Sequence, residues 1–414
     1  MLRSRTLLRL GDPQGSLAEL DAAAGELFGE RAEATLLRVA SLTRLRRFDE
    51  AASQFVEARV YAISSADAAI EAEAKYYETL WAFATDDLEG TQLAAREVLA
   101  IERSPYSRKP YSEYFIPLQN SRARALEALG AVEGVNGRYS DQLAFIRQAL
   151  SELYASGMSD IWVEAALLTN AAILARDFDI VSDVESLRSK LSSLPWSPST
   201  ARNRFRMTQA LGWCRALHGD HIGAFRDFRG AVDAAPSQAL RVSALLDQAY
   251  LARELANVDV AHETLGYAAD LAEHVRWEET AGDDRATLLW LAEGLAEINP
   301  GRAKTVFERY RACKGTMSTL AMARIEKRVH AIEAYVRGII ARHEGKGTSA
   351  LTEIRTAFEI WNQIGFEWRA GLAAADLFEL GCCDVVAVAR READRRSGSW
   401  LARRVAKALS ATGK

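Results

Sequence analysis

Along nearly the whole chain apolar residues return at three- and four-residue steps, the spacing that lines one face of an α-helix. ATLLRVASLTRL (34–45) and AASQFVEARVYAI (51–63) both carry it, with the short polar stretch RRFDE between them. Two helical stretches joined by so few residues must run antiparallel, so this segment predicts a helical hairpin. Alternating runs of Val, Ile and Thr are almost absent. Ala, Leu, Arg and Glu dominate and there are only 8 prolines, a composition that favours helix. The fold class this predicts is all-α.

The hairpin recurs. A short turn followed by the start of a second helix appears as GDPQGSLAEL (11–20), RRFDEAASQF (46–55), DDLEGTQLAA (86–95), GRYSDQLAFI (137–146), RDFDIVSDVE (176–185) and GDHIGAFRDF (219–228). Weaker copies are ANVDVAHETL (256–265), INPGRAKTVF (298–307), GKGTSALTEI (345–354) and GCCDVVAVAR (381–390). The period is irregular, roughly 35 to 50 residues, within the range of helical repeat arrays. Ala51, Ala224, Ala261, Ala303 and Ala350 fall where the second helix of a hairpin meets the first, and a larger side chain there would force the pair apart. No hairpin can bury its apolar face alone, so neighbours must stack. The expectation is a right-handed superhelical solenoid of about ten degenerate hairpins with one concave wall.

Residues 210–236 hold the fullest copy: Leu211-Gly212 in the first helix, Gly219-Asp220 at the turn, then Ala224, Phe228, Ala231 and Pro236. Leu129-Gly130 with Gly137 and Tyr139 is a second. These residues resemble the tetratricopeptide repeat, although in these two copies Arg215 and Glu133 replace the first-helix aromatic of that family's pattern. RRFDEAASQFVEA and DDLEGTQLAAREVLA further resemble the repeat-built sensor region of bacterial LuxR/MalT-type transcription regulators. In that family the array senses a partner or inducer and a separate helix-turn-helix module binds DNA. No nucleotide-binding or DNA-binding module is recognisable here, and the chain opens inside a hairpin. It therefore reads as a stand-alone scaffold or as the sensor part of a longer regulator.

The domain organisation expected is repeats over 1–101, a connector over 102–121, further repeats over 122–397 and a basic capping helix over 398–414. Hydrophobic residues make up 49% of the chain and charged ones 26%, with a formal net charge of −4. This is a folded, soluble composition, and its charge argues against a surface built throughout for nucleic acid. Four cysteines, Cys214, Cys313, Cys382 and Cys383, are too few for a disulfide framework. MLRSRTLLRL is too short in its apolar part for a secretion signal, and no apolar run nears the roughly 20 residues of a membrane span. A cytoplasmic protein is expected, and self-association stays open.

Cys214 and His218 share a helical face and are followed by Asp220 and His221, which suggests a metal site. A site needs three or four converging ligands, whereas Gly219-Asp220 also reads as the interhelix turn, so no metal is expected. GKGTS (345–349) imitates a phosphate loop, but Gly338 lies too far upstream and the context is helix to helix. No catalytic motif appears, so a non-enzyme without cofactor is expected.

Binding candidates lie elsewhere. If Thr208, Leu211 and Gly212 pack inward, then Arg206, Gln209 and Trp213 face the concave wall, with Tyr250 and Arg253 in the next unit and Asn170 in the one before. The same stripe continues to Tyr76, Phe83, Tyr335 and Arg342. Aromatics, guanidiniums and amides on an open wall suit a protein or peptide partner; with the register shifted by one, Trp213 and Tyr250 become core. The connector ERSPYSRKPYSEYF (102–115) is a secondary candidate through Tyr106, Arg108, Lys109, Tyr111 and Tyr114. The expected function is a regulatory protein- or peptide-binding scaffold. The alternatives are a receptor for a short peptide or small signal, as in the tetratricopeptide pheromone receptors of bacteria, and a nucleic-acid-binding solenoid. The latter would use the basic end, where Arg403, Arg404 and Lys407 accompany an apolar face of Trp400, Leu401, Val405 and Leu409.

Overall fold

A computed structural model of the protein describes residues 2–9, 12–23, 31–45, 47–65, 67–84, 87–101, 118–155, 160–178, 184–194, 201–280, 282–314, 319–396 and 399–411. Among them there is no strand. The helices are α1 (Leu2–Arg9), α2 (Pro13–Ala22), α3 (Arg31–Arg44), α4 (Phe48–Ser65), α5 (Ala68–Ala84), α6 (Leu88–Ala100), α7 (Leu118–Val135), α8 (Tyr139–Ala155), α9 (Ile161–Phe178) and α10 (Val184–Ser193). They continue as α11 (Ala201–Leu217), α12 (His221–Asp233), α13 (Gln238–Glu254), α14 (Val258–Glu273), α15 (Gly282–Arg285), α16 (Thr287–Ala296), α17 (Pro300–Lys314), α18 (Thr319–His343), α19 (Gly347–Gln363), α20 (Glu367–Glu379), α21 (Val386–Arg395) and α22 (Trp400–Ala411). None of the described helices is long and apolar enough to cross a membrane.

The chain divides into two compact units, Met1–Ala171 with Leu187–Arg204, and Ala172–Ser186 with Phe205–Lys414. In each, consecutive helices pair as hairpins, and first helices pack on first helices: α3 on α5 and α5 on α7 in the first unit, α13 on α16 and α16 on α18 in the second. This is the stacked-hairpin architecture expected from the repeat. In the first unit Leu36, Leu37, Val39 and Ala40 of α3 pack with Phe55, Ala58 and Ala62 of α4 and with Ala74 and Tyr77 of α5. In the second, Phe205, Ala231, Leu240 and Ala244 join α11, α12 and α13.

Local chemistry explains why each hairpin turns where it does. The backbone N–H of the residue after the turn reaches back five positions: Arg138 to Glu133, Asp220 to Arg215, Lys346 to Ala341 and Cys382 to Leu377. Such a closure needs a left-handed residue just past the first helix. Gly219 takes that place at φ +83°, and glycine also does so at 137, 345 and 381. The next helix is then capped. Asp12, Asp87 and Asp220 each accept from the N–H of a glycine three residues on, so the D-x-x-G spacing in three of the sequence repeats is an N-cap with room left for its carboxylate.

Close helix approach is set by small residues. Ala51, Ala224, Ala303 and Ala350 have no exposed surface and Ala261 only 3%. Opposite them, a Cβ on Gly212 would sit 2.6 Å from the ring of the fully buried Phe228, and one on Gly338 would sit 2.5 Å from the side chain of Ile354.

At one described turn the left-handed residue is not glycine. Ala256 occupies the left-handed position between α13 and α14 at φ +59°, where Asn257 N–H bonds to Ala252 O. A left-handed alanine carries about 1–2 kcal/mol of steric cost, only partly offset by the greater freedom of glycine in the unfolded chain. Ala256→Gly is therefore expected to stabilise the protein by about 0.5–1 kcal/mol, read as a higher midpoint in urea unfolding; a lower midpoint would contradict the assigned turn.

Candidate functional site

In the second unit the first helices of successive hairpins bring their polar and aromatic side chains together. On α11, Arg206, Gln209 and Trp213 lie one turn apart, as do Asp247, Tyr250 and Glu254 on α13. Trp213 Nε1 donates to Asp247 Oδ1 at 2.5 Å, and Gln209 Nε2 donates to Asp247 Oδ2 at 2.6 Å and to Ser243 Oγ at 2.9 Å. The Trp213 and Tyr250 rings lie side by side with centroids 4.3 Å apart, as expected for residues at one register of adjacent units.

The openness expected of that wall is not found. Trp213 is 9% exposed. Trp368, at the start of α20, covers it at 5.6 Å; Phe366 follows at 5.7 Å from Trp368, and Phe178 at 6.3 Å from Phe366. A hairpin remote in sequence packs across the face, so Trp213 takes the core position that the alternative register gave it. Burial also acts on Asp247: desolvation pushes its carboxyl up to about 7, against the donations from Trp213 and Gln209.

Around this aromatic floor runs a set of charges. Arg206 Nη2 donates to Asp284 Oδ1 at 2.9 Å. Arg253 lies 3.9 Å over the Trp400 ring and 5.5 Å over that of Tyr250, with Glu297 at 3.7 Å. Arg369 is held by Glu293 and sits between Trp290 and Trp368, at 4.3 and 4.2 Å from their centroids. Tyr335 Oη donates to Asp376 Oδ2 at 2.5 Å, and Arg342 Nη1 donates to Asp376 at 2.8 Å and Glu379 at 3.2 Å. Arg404 reaches Asp376, Glu379 at 2.9 Å and Glu297 at 3.5 Å. Burial would raise the Glu379 carboxyl, but Arg404 and Arg342 hold it below its usual range.

The sequence stripe thus located Arg206, Gln209, Trp213, Tyr250, Arg253, Tyr335 and Arg342 in one unit. It missed their partners Asp247, Glu297, Trp368, Asp376 and Arg404. Asp247 stands three residues before Tyr250, so extending the same spacing would have found it; the others come from hairpins whose proximity no local pattern signals. Asn170 belongs to the first unit, where its Nδ2 donates to Glu127 Oε1 at 3.0 Å. There too, Tyr76 lies under Arg124 at 4.0 Å and Phe83 is buried.

Tyr106, Arg108, Lys109, Tyr111 and Tyr114 of the connector lie outside the described residues. Cys214 is buried, His218 is exposed and Asp220 is the cap of α12; among the described residues no three His, Cys, Asp or Glu side chains converge as metal ligands. GKGTS spans the α18–α19 turn, with Lys346 on Glu344. In the basic C-terminal stretch, Arg391, Arg395 and Arg396 are paired with Glu392, Arg395 also with Glu367, and Arg404 is turned inward.

No family model and no curated protein matches the chain. Among solved structures it is similar to a Rap protein complexed with competence and sporulation factor, at 12% identity over 89% of this chain and 100% of that one, with a TM-score of 0.46. It is also similar to the P58(IPK) TPR domain, at 11% identity over 92% of this chain and 97% of that one, with a TM-score of 0.24. The hairpins are tetratricopeptide-like in their turns, small-residue contacts and stacking.

Two outcomes follow from the buried position of Trp213. Trp213→Ala is expected to cost about 3–5 kcal/mol of stability and Trp213→Phe about 1–3 kcal/mol, because the latter keeps a ring but strands a buried carboxylate oxygen; equal melting temperatures for both variants and wild type would contradict the placement. Asp247 binds its proton more tightly folded than unfolded, so its contribution to stability falls as pH rises from about 4 to about 7 and is flat above. Asp247→Asn should remove that slope from pH-dependent urea midpoints, and an unchanged slope would show that the carboxyl is ionised throughout.

Proposed function

We propose that this chain is a non-catalytic, cytoplasmic scaffold that binds a protein or peptide and serves a regulatory role in signalling or transcription control. Its binding face is formed by the first helices of the hairpins in the second unit. One observation carries this reading. Arg206, Arg253, Arg342, Glu297 and Glu379 keep 24%, 26%, 25%, 29% and 32% of their side-chain surface exposed, while the aromatic residues among them are buried or half-buried. Charged groups fixed over an aromatic floor lose little freedom on binding, which favours affinity and direction. Gln209 and Tyr250 complete the face, and Trp213 supports it from below. Asn170 is a candidate of the first unit alone, and Tyr106, Arg108, Lys109, Tyr111 and Tyr114 remain a secondary candidate.

The regulatory part of the proposal rests on the resemblance of RRFDEAASQFVEA and DDLEGTQLAAREVLA to LuxR/MalT-type sensor arrays. A receptor for a short peptide or small signal is the second reading, favoured by charges of both signs interleaved on one face. The nucleic-acid reading loses support because Arg395, Arg396 and Arg404 are engaged by carboxylates of the same unit.

Peptides selected from a random library against the immobilised full chain test the proposal. Arg206→Ala and Arg253→Ala are expected to weaken their binding by about 2 kcal/mol, roughly 30-fold, with Lys304→Ala as an unaffected control. Selected peptides that bind all three variants like wild type would place the binding face elsewhere.

A further inference from the structure

The C-terminal helix is held in an unusual way. A helix that merely ends a repeat array touches the hairpin before it, because each repeat contacts only its neighbours. α22 packs on α20 and α21, but its polar contacts reach two further hairpins. The Trp400 N–H donates to the Glu254 carboxylate and the Arg403 guanidinium to the Glu254 carbonyl, both at the end of α13. Arg404 reaches Glu297 just past α16 at 3.5 Å, and Asp376 and Glu379 on α20. Arg253 of α13 closes over the Trp400 ring. The helix therefore lies along the same face that carries the proposed binding groups.

Its apolar anchorage is modest. Leu401, Val405 and Ala408 are buried, Trp400 and Leu409 only half-buried, and Arg403, Ala406 and Lys407 are exposed. Charge carries much of the fit. Three carboxylates, Glu297, Asp376 and Glu379, face three guanidiniums, Arg253, Arg342 and Arg404. Without α22 the count becomes three against two, and Asp376, which has no exposed surface while Arg404 sits on it, keeps only Tyr335 and Arg342. A carboxylate set so depleted favours a replacement cation. Glu254 adds a second demand: it accepts an N–H from the first turn of a helix, one of the donors that a helix leaves without an internal partner. The vacated surface would thus favour a helix over an extended strand, and a cationic helix over a neutral one.

We propose that the ledge formed by Glu254, Glu297, Asp376 and Glu379 is a binding site for an amphipathic helix carrying an aromatic side chain and a guanidinium one turn apart. The C-terminal helix α22, with Trp400 and Arg404, occupies this site within the chain until such a partner displaces it. The inference rests on the reading of this face as a binding surface and adds to it the class of ligand and the resident occupant.

Hydrogen exchange on the intact protein tests displacement directly. The probe is a synthetic peptide of residues 399–411, acetylated and amidated. Amides of α22 are expected to exchange at least tenfold faster than those of α20, and faster still with excess peptide. Exchange of α22 in step with α20, with and without peptide, overturns the proposal, because the helix is then a fixed part of the unit. A fluorescent copy of the peptide tests the ledge. It should bind Trp400→Ala/Arg404→Ala protein at least tenfold more tightly than wild type, and a peptide with alanine in place of its arginine at 404 should not bind. Equal binding of both peptides, or no gain in the double variant, also overturns it; if that variant does not fold, the exchange result on wild type decides. Library-selected peptides still sensitive to Arg253→Ala while α22 stays unmoved would sink this inference and leave the broader binding function standing, whereas loss of both would remove the two together.

Discussion

None of these helical hairpins can bury its apolar face by itself, and the rest of the structure depends on that constraint. Stacking demands close approach, and close approach demands the absence of side chain at particular points: Gly212 beneath Phe228, Gly338 beneath Ile354, and the fully buried Ala51, Ala224, Ala303 and Ala350. Once first helix lies on first helix, residues one turn apart on each are carried into register with residues one turn apart on the next. The meeting of Trp213 with Tyr250, and of Tyr335 and Arg342 with Asp376, is a consequence of that geometry.

The face so assembled is polar to an extent that packing alone does not require. Asp247, Asp376 and Arg369 are all buried. Each is matched: Asp247 by an indole and an amide N–H, Asp376 by a phenol and two guanidiniums, Arg369 by Glu293 and two indoles. Burying charge is costly unless it is paired and hydrogen-bonded, so such a set contributes less to net stability than to fixing which hairpins meet and in what rotation. A surface whose charges are already oriented is also one on which a complementary ligand finds its partners in place.

Much of this was legible in the chain. Helical hairpins, their turns, the small residues at the helix contact and the stripe bearing Gln209, Trp213, Tyr250 and Arg253 all follow from spacings of a few residues. D-x-x-G in three turns could have been read as a cap motif, since an aspartate before a helix and a glycine three residues later have a direct hydrogen-bonding meaning. The solvent exposure of Trp213 was misjudged because Trp368, which covers it and is backed by Phe366, belongs to a hairpin far along the chain. The inward turn of Arg404 escaped for a related reason: in sequence it sits in a basic stretch, and only Glu297 just past α16 and Asp376 and Glu379 on α20 make it part of an ion cluster.

The division between the two levels is physical. By itself the sequence determined whatever depends on contacts within one hairpin: helix against strand, where each helix stops, which residue caps the next, and which positions must stay small. Those are set by periodicity, backbone dihedrals and steric volume over about twenty residues. Tertiary structure alone decided which side of the stripe meets water, which carboxylate receives which guanidinium, and that the C-terminal helix lies across several hairpins of the second unit. These depend on the angle between successive hairpins, which accumulates over many packed contacts and is written in no single residue.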